Sequence, residues 1–301
     1  MGQKSRQVCL LLHKKSCTRP EVKQAIKDVR RKGVDISVRI PWSRKDQNTF
    51  IKDAIKAGVT RFVAGGGDGT LNSVVNALMK KKRARKVSLG VMPLGTANDF
   101  ARGAGLPLDD LAAAFYLAAT GKATSVDVGQ ANENYFINVA SGGFGAEVTA
   151  ITPQDMKKAL GGAAYSLVGL VRALQLEPYS GRIVLPDGTS KEGSMVIMAV
   201  GNNRFAGGAF EVAPKADLTD GLLDLAVLAS ADASDLKDIA AELTDPFNKN
   251  NKFLMYRQLE SFVIESDRPL HMNLDGEPLV ERRFEFKTHP RALSVVLGSA
   301  S

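Results

Sequence analysis

Residues 65–70 read Gly-Gly-Gly-Asp-Gly-Thr and combine glycines with an acid and a hydroxyl. An apolar run precedes them, and after Thr70 apolar residues recur at the i, i+3, i+4 and i+7 spacing of one helix face. The pattern predicts a strand, a glycine turn and a helix capped by a hydroxyl. Because glycine permits close backbone approach and the first N–H groups of a helix are unpaired, such a turn is typical of phosphate-binding sites.

Asp68 is unusual in such a loop, because its carboxylate would repel a polyphosphate. A bridging Mg²⁺ is the simplest remedy, and an orientation of the acid toward another group is the alternative. The loop lacks the Gly-Lys-Ser/Thr ending of a P-loop, and Thr70 stands where a dinucleotide fingerprint has its third glycine. A tight turn without a ligand is a further interpretation, which the composite pattern disfavours.

A second polar turn, at residues 93–102, also follows an apolar strand and groups a glycine, a hydroxyl, an amide and a carboxylate. Ordinary helix capping by Thr96 or Asn98 would account for this turn taken alone. Ligands of parallel sheets bind beyond the carboxyl ends of the strands, and both polar turns lie at such ends. We therefore expect the two turns to line one pocket.

The elements that must position these turns differ between the two halves of the chain. Up to about residue 127, strands and helices alternate with short connections, which predicts a doubly wound parallel α/β domain. Beyond it, alternating runs and the turn signals Asp187-Gly188 and Asp275-Gly276 predict a mainly antiparallel, sandwich-like β domain. The predicted strands include 135–139, 262–265, 270–274 and 284–286, and the predicted helices are 154–176 and 236–243.

The bulk composition is that of a globular protein, with 44% apolar and 24% charged residues among 301. Two cysteines, Cys9 and Cys17, are too few for a disulfide framework and favour a reducing, cytoplasmic compartment. The N-terminal apolar run is too short for a signal peptide, and we expect no membrane-spanning segment.

Charge is distributed unevenly along the chain. Residues 1–127 hold 24 Lys and Arg against 10 Asp and Glu, a balance of +14, whereas residues 128–301 hold 16 against 22, a balance of −6. The densest basic cluster, residues 80–86, is compatible with a solvated helix end, an anionic membrane surface or nucleic acid. Aromatic residues are not interleaved with these charges, which argues against a nucleic-acid partner.

The motifs taken together resemble the diacylglycerol kinase catalytic family, and their order, spacing and total length resemble its bacterial YegS-type lipid kinases. The resemblance covers essentially the whole chain and rests on residues 65–70, 93–101, 142–145, 207–208, 216–224 and 274–277. The first of these motifs alone would not distinguish the family from NAD kinases, which share it.

The resemblance implies a nucleotide-binding domain at 1–127, to which residues 290–301 return, and a β-rich lipid-substrate domain at 128–289. The active site is implied to lie in the cleft between them, with Glu277 as the general base and Asp68 in the ATP·Mg²⁺ site. The implied nucleotide-binding residues are Gly67, Asp68, Gly69, Thr70, Leu71, Asn72, Ser73 and Thr96.

A second, structural metal site is also implied by the resemblance. Asp217, Asp220 and the backbone carbonyl of Leu222 resemble its ligands for Mg²⁺, with Ca²⁺ as the alternative ion.

The residues alone favour a plain hairpin tip at Glu277, and only the resemblance favours a base. This chain departs from close relatives at residues 13–15, which read His-Lys-Lys, and at Pro41, where those relatives carry a nucleotide-contacting threonine.

The sequence thus predicts an ATP- and Mg²⁺-dependent lipid kinase that transfers the γ-phosphoryl group to a hydroxyl of a glycerolipid or related lipid. The expected location is cytoplasmic, with peripheral and transient contact of basic residues with the anionic inner face of the membrane. A soluble NAD or sugar-phosphate kinase using the same loop, and a catalytically silent lipid- or nucleotide-binding regulator, are the alternatives. The identity of the lipid and the oligomeric state do not follow from the sequence.

Overall fold

A computed structural model of the chain describes residues 7–81, 86–143, 177–208 and 210–298. The predicted helix at 154–176 lies outside the described residues. So do the last two positions of the 142–145 motif and most of the basic cluster at 80–86.

The first half of the chain alternates strands and helices, as the sequence predicts. Its strands are β1 (Gln7–Leu12), β2 (Asp35–Arg39), β3 (Arg61–Gly66) and β4 (Ser88–Pro93). Its helices are α1 (Pro20–Arg31), α2 (Arg44–Lys56), α3 (Asp68–Met79), α4 (Asp99–Gly103) and α5 (Leu111–Thr120). The strands are all parallel in the order β2-β1-β3-β4, which confirms the predicted doubly wound sheet.

Helices cover both faces of this sheet, because successive strand residues point to opposite sides. On one face, α1 buries Val22 and Val29 beside α5 and the side chain of Leu10. On the other face, α2 and α3 bury Ile51 and Val74. The carboxyl ends of β1, β2, β3 and β4 consequently share one edge, at which the polar turns lie.

The second half of the chain is mainly antiparallel, as predicted. Its strands are β5 (Ala123–Ala131), β6 (Asn134–Phe136), β7 (Val139–Gly143), β8 (Tyr179–Val184), β9 (Ser190–Gly201), β10 (Phe205–Ala206), β11 (Phe210–Glu211), β12 (Leu223–Ala229), β13 (Leu254–Leu259), β14 (Ser261–Leu274) and β15 (Glu277–Val296). The predicted helix at 236–243 is α6 (Leu236–Thr244). The core of this second half contains the edge-to-face and stacked rings of Phe136, Phe262, Phe284 and Phe286.

Several strand boundaries differ from the prediction. The runs 262–265 and 270–274 belong to the single strand β14, which pairs with β15 throughout except for an irregularity between Glu265 and Leu270. The run 284–286 is part of the long strand β15, and 135–139 is divided between β6 and β7. Because hydrogen bonds to neighbouring strands hold them, these strands continue across polar positions at which the local hydrophobic pattern is interrupted.

The last strand connects the two halves. Ser294 and Val295 near the end of β15 pair in parallel with Ser88 and Leu89 of β4, while the rest of β15 pairs with β14 and β5. Among the described strands, all except β10 and β11 therefore join in one sheet of 13 strands. Backbone hydrogen bonds thus fix the position of one half relative to the other.

Candidate active site

The glycine loop is a tight connection between β3 and α3. Gly67 precedes the helix in an extended conformation, and its carbonyl accepts hydrogen bonds from the N–H groups of Thr70 at 2.9 Å and Leu71 at 3.1 Å. A Cβ on Gly66 would lie 2.3 Å from Thr70 Oγ1, so the turn requires glycine there. The predicted hydroxyl cap is wrong: Thr70 lies inside the helix, and Gly67 occupies the capping position without a side chain.

The second polar turn lies directly against the first. A Cβ on Gly95 would lie 2.5 Å from the Cα of Gly67, and the N–H of Leu94 donates to the carbonyl of Gly66 at 3.0 Å. Thr96 lies exposed on this turn. The predicted adjacency of the two turns is confirmed, and their use as one ligand pocket stays a prediction.

Asp68 faces the second turn. Its carboxylate accepts hydrogen bonds from the backbone N–H groups of Asp99 at 3.2 Å and Phe100 at 3.1 Å, and so caps α4. Burial raises the pKa of Asp68, the Phe100 N–H opposes that shift, and the nearby charge of Asp99 adds to it. Of the two sequence-based explanations for this acid, the structure therefore supports orientation toward another group.

Neither residue predicted to cap α4 does so with its side chain. Asn98 precedes the helix in a left-handed conformation, with φ of 52°, and its side chain turns back to Gly95. There Oδ1 accepts from the Gly95 N–H at 2.8 Å, and Nδ2 donates to the Gly95 carbonyl at 3.0 Å. The cap comes from Asp68 because the close approach of the two turns brings that carboxylate onto the first N–H groups of α4.

The short helix α4 also contacts the second half of the chain. Both carboxylate oxygens of Asp99 accept from the backbone N–H of Gly208, at 3.1 and 3.0 Å. Gly207 and Gly208 both adopt positive φ, which suits glycine. The 207–208 motif is therefore fixed against the second turn.

The turn between β14 and β15 forms a second joint between the halves. The buried carboxylate of Asp275 accepts four hydrogen bonds at 2.7–3.1 Å, from Asn72 Nδ2 and from the backbone N–H groups of Ile137, Asn138 and Val139. Burial raises the pKa of Asp275 to about 6, although these bonds favour its charged form. One side chain thus ties the turn to β7 and to α3.

This joint brings the glycine loop next to Glu277. A Cβ on Gly276 would lie 3.8 Å from the Cα and the N of Gly69, so the turn at Asp275-Gly276 lies close to the glycine loop. The buried amide of Asn72 donates both to Asp275 and to the carbonyl of Tyr135, at 3.1 and 2.9 Å. The structure therefore places Glu277, which follows the Asp275-Gly276 turn, near the start of α3.

Glu277 lies at the rim of a cavity of about 160 Å³ between α2, α3 and β15. Its Oε2 forms an ion pair with Nη2 of Arg44 at 2.6 Å. The cavity has a polar wall, where Gln47 Nε2 donates to Ser73 Oγ at 3.0 Å, and an apolar lip. Other lining residues are Asn76, Lys80, Tyr135, Pro278 and Leu279. A carboxylate at the mouth of such a cavity is accessible to an acceptor hydroxyl.

The predicted metal loop is folded around a buried acid. Asp127 accepts from the N–H groups of Gly221 at 2.6 Å and Arg291 at 2.7 Å, and so binds the loop to β5 and β15. Asp217 Oδ1 accepts from Thr219, and Asp220 Oδ1 accepts from the N–H of Leu222 at 2.9 Å.

The donor chemistry of this loop fits a hydrated hard cation. Burial raises the pKa of Asp220, and the charges of Asp217 and Asp127 add to the shift. Within the described residues no three His, Cys, Asp or Glu side chains converge as metal ligands. Mg²⁺ keeps several waters and is often bound through one or two protein carboxylates, so the role of Asp217, Asp220 and the Leu222 carbonyl as its ligands stays a prediction.

Sequence reasoning missed the partners of the predicted residues. Arg44 is 233 positions from Glu277, so no local pattern could connect them. Asp275 belongs to a recognised motif, yet nothing in that motif shows that its carboxylate is buried. Asp127 and Asp99 were likewise part of predicted segments without an assigned contact, because their partners lie in the other half of the chain.

Comparison with known proteins identifies the family and the two-part organisation of the chain. Residues 7–131 match the diacylglycerol kinase catalytic domain, and residues 138–297 match the YegS C-terminal NAD kinase beta sandwich-like domain. A "Probable lipid kinase YegS-like" of Chromohalobacter salexigens is 39% identical over 293 residues, 97% of this chain and 93% of that protein. Its namesake in Pseudomonas aeruginosa is 40% identical over 294 residues, with coverage of 98% and 95%.

The chain belongs to the YegS-like lipid kinases of the diacylglycerol kinase catalytic family. A crystal structure described as a diacylglycerol kinase from Bacillus anthracis shares the fold of this family member, with a TM-score of 0.73, 19% identity and coverage of 99% and 98% of the two chains. The family and the two-part fold predicted from the sequence are therefore confirmed.

Proposed function

We propose that this YegS-like kinase uses ATP and Mg²⁺ to transfer the γ-phosphoryl group to a hydroxyl of a glycerolipid or related lipid. The observation that carries the proposal is the close approach of the turn at Gly276 to Gly69, which sets Glu277 near the glycine loop. In this proposal residues 1–127 and 290–301 bind the nucleotide, and residues 128–289 contribute the lipid side of the cleft.

The nucleotide phosphates lie, in this proposal, at the start of α3 and against the neighbouring turn. The N–H groups of Thr70 and Leu71 bond the Gly67 carbonyl, which leaves those of Asp68 and Gly69 at the start of α3 to attract an anion. The contacts come from Gly67, Asp68, Gly69, Thr70, Leu71, Asn72, Ser73 and Thr96. The side chain of Asn72 also bonds Asp275 at 3.1 Å, and the hydroxyl of Ser73 bonds Gln47 in the cavity wall at 3.0 Å. These two hydrogen bonds keep this end of α3 rigid.

Glu277 acts as the general base that accepts the proton of the acceptor hydroxyl. The ion pair with Arg44 holds Oε2 at the cavity mouth, and Oε1 is the oxygen assigned to the proton. Positive charge at Arg44 and Lys80 in the same cavity compensates negative charge that accumulates as the phosphoryl group moves.

In phosphoryl transfer, bound Mg²⁺ neutralises negative charge on the phosphates. Asp68 is the residue proposed for the nucleotide-bound ion, since its two amide hydrogen bonds do not use every lone pair of the carboxylate. Asp217, Asp220 and the Leu222 carbonyl would hold a second, structural ion, Mg²⁺ or Ca²⁺, next to the buried Asp127.

The proposed location is cytoplasmic, with peripheral and transient contact at the anionic inner face of the membrane. None of the described helices has the length and hydrophobicity needed to cross a bilayer. The balance of +14 in residues 1–127 supports contact with anionic lipids, and we propose no nucleic-acid partner.

A lipid-panel assay with labelled ATP and Mg²⁺ tests this proposal, with Glu277→Gln as the test variant and Glu281→Gln, an exposed acid of the same strand, as the matched control. We expect labelled lipid from the wild type and from Glu281→Gln. Loss of the base lowers kcat by about 10²–10⁴-fold in Glu277→Gln, while the KM for ATP stays near its wild-type value.

A soluble NAD kinase is the second candidate, because the C-terminal segment matches a domain described as NAD kinase beta sandwich-like. The same assay includes NAD and sugar phosphates as acceptors. Label in a soluble acceptor and not in lipid would replace our proposal by this one, and ATP binding without turnover on any acceptor would indicate a regulator.

A further inference from the structure

Trp42, the single tryptophan of the chain, is the most exposed large apolar side chain among the described residues, at 77%. A single exposed apolar residue is ordinary on a protein surface, so its neighbours must decide its significance. Trp42 follows β2 and immediately precedes the capping residue of α2, Ser43. It therefore lies at the edge of the sheet that carries the glycine loop.

The backbone at Trp42 is held in place. Asp46 Oδ2 accepts from the N–H groups of Trp42 at 3.2 Å and Ser43 at 3.0 Å, and the Ser43 hydroxyl accepts from the Asp46 N–H. In many helices a hydrophobic residue at this position packs against the fourth helical residue. Here that residue is the buried Gln47, which bonds Ser73, so the indole gains no apolar partner from α2.

Trp42 is also close in the chain to a residue that lines the cavity at Glu277. It is two residues from Arg44, whose guanidinium lines that cavity and pairs with Glu277 at 2.6 Å. Pro278 and Leu279 supply the apolar lip of the same opening. An apolar group that binds at Trp42 would thus approach the proposed acceptor site directly.

Exposed cations lie at the same sheet edge as Trp42. Leu11 of β1 pairs with Arg39 of β2, so the segments that follow both strands leave the sheet at the same edge. We call this region the tryptophan edge, which consists of Trp42 and the exposed residues Lys14, Lys15, Arg44 and Lys45. The acids nearest to it are engaged, Asp46 by backbone N–H groups and Glu277 by Arg44. Lys14, Lys15 and Lys45 form no ion pair with the described residues, and an exposed tryptophan near such cations is typical of an anionic membrane interface.

We propose that the tryptophan edge docks on an anionic bilayer, with Trp42 inserted at headgroup depth and the lysines on lipid phosphates. The cavity at Glu277 then opens toward the membrane, so that a lipid reaches it without leaving the bilayer. This inference rests on the proposed lipid kinase function for its purpose, and on charge complementarity and the exposed indole for its location.

The fluorescence of Trp42 tests docking directly, because no other tryptophan contributes. Wild-type protein is mixed with phosphatidylcholine vesicles, with or without phosphatidylglycerol. We expect a blue shift and protection from acrylamide quenching with the anionic vesicles only. An unchanged spectrum in anionic vesicles overturns the inference, as does a blue shift that depends on protein concentration without vesicles, which would indicate self-association.

Vesicle co-sedimentation of variants locates the contact. Trp42→Ala is expected to weaken binding about tenfold, and Lys45→Gln about fivefold. Trp42→Phe restores most of the loss from Trp42→Ala. The matched control is Tyr116→Ala, an exposed aromatic on α5 with Lys32 over its ring at 4.5 Å, on the opposite face of the sheet. Equal loss in Trp42→Ala and Tyr116→Ala contradicts a specific docking edge.

Kinase assays separate this inference from the proposed function. On detergent-dispersed lipid, Trp42→Ala is expected to match the wild type, and on anionic vesicles it is expected to lose about tenfold in apparent affinity. A wild type that is inactive on every lipid but shifts its emission on vesicles refutes the kinase proposal and supports docking. A wild type that is active in detergent but shows no spectral shift refutes docking alone.

Discussion

Two turns in the second half of the chain carry the same dipeptide, Asp187-Gly188 between β8 and β9 and Asp275-Gly276 between β14 and β15. The glycines of the two turns are alike, since Gly188 and Gly276 have positive φ of 82° and 98°, but of the two acids Asp275 alone is left-handed, with φ of 51°. Asp187 is exposed and bonds only within its own turn, where Thr189 donates its N–H at 2.9 Å and its hydroxyl at 2.6 Å. Asp275, in contrast, is buried and bonds both halves of the molecule.

The same side chain responds in opposite ways to the two environments. Hydrogen bonds from Thr189 lower the pKa of Asp187, whereas burial raises the pKa of Asp275 to about 6. The dipeptide therefore predicts a tight turn but not the burial or the hydrogen bonds of its acid. For Asp275 these are determined by the segments that pack against the turn, α3 and the start of β7.

The largest expected difference between the two turns is in stability. Asp275→Ala leaves three buried backbone N–H groups without an acceptor and takes one of the two acceptors from the Asn72 amide, which keeps the Tyr135 carbonyl. This change should cost about 4 kcal/mol of the free energy of unfolding. Asp187→Ala should cost far less, because water replaces the lost acceptor. Urea unfolding measures both, and equal costs would mean that Asp275 does not hold the joint.

The pH dependence of stability should differ next. Asp275 has a pKa of about 6 in the folded protein, above its ordinary value of 3.8, and binds its proton more tightly when folded. The free energy of unfolding should therefore fall as the pH rises from about 4 to about 6, by about 3 kcal/mol from this group.

Unfolding of the wild type and Asp275→Asn across this range tests that expectation. The variant should lack this part of the slope, while Asp187→Asn should retain it. Parallel curves for the wild type and Asp275→Asn would show that Asp275 does not titrate in the folded protein within the range.

Removal of a single partner sharpens the comparison further. Asn72→Ala takes one of the four donors from Asp275, and Asn76 still donates to the Tyr135 carbonyl at 2.8 Å, so we expect a cost of about 2 kcal/mol. Thr189→Ala, the matched change at the other turn, should cost about 0.5 kcal/mol. Thermal unfolding of both variants provides the measurement, and a larger loss in Thr189→Ala would reverse our ranking of the turns.

The smallest expected difference concerns the glycines themselves. Gly188→Ala and Gly276→Ala each place a side chain at positive φ, and neither Cβ would clash, because the nearest atom to Gly276 is 3.8 Å away and Gly188 has none within 4 Å. Each change should cost about 1 kcal/mol. Similar midpoints of denaturation for the two variants would confirm that the two glycines contribute equally to stability. A far larger loss in Gly276→Ala would show that the backbone at Gly276 helps to join the two halves of the chain.

Much of the fold was predictable from short stretches of the chain. The alternation of strands and helices, the glycine loop at 65–70 and the helix at 236–243 depend on neighbours a few residues apart, and the structure has them. Strand ends were harder to predict, since β14 and β15 are maintained by each other rather than by their own pattern. The predicted hydroxyl cap was wrong because α3 begins at Asp68, which leaves Gly67 at the capping position and Thr70 within the first turn.

By itself, the sequence determined the family, the two kinds of domain and the positions of the tight turns, because periodicity and positive φ are local properties of the backbone. Only the tertiary structure decided what the charged side chains do. It turned Asp68 onto α4, buried Asp275 beneath α3 and set Arg44 against Glu277 across 233 positions. Burial and charge compensation depend on segments far apart in the chain, and no short motif records them.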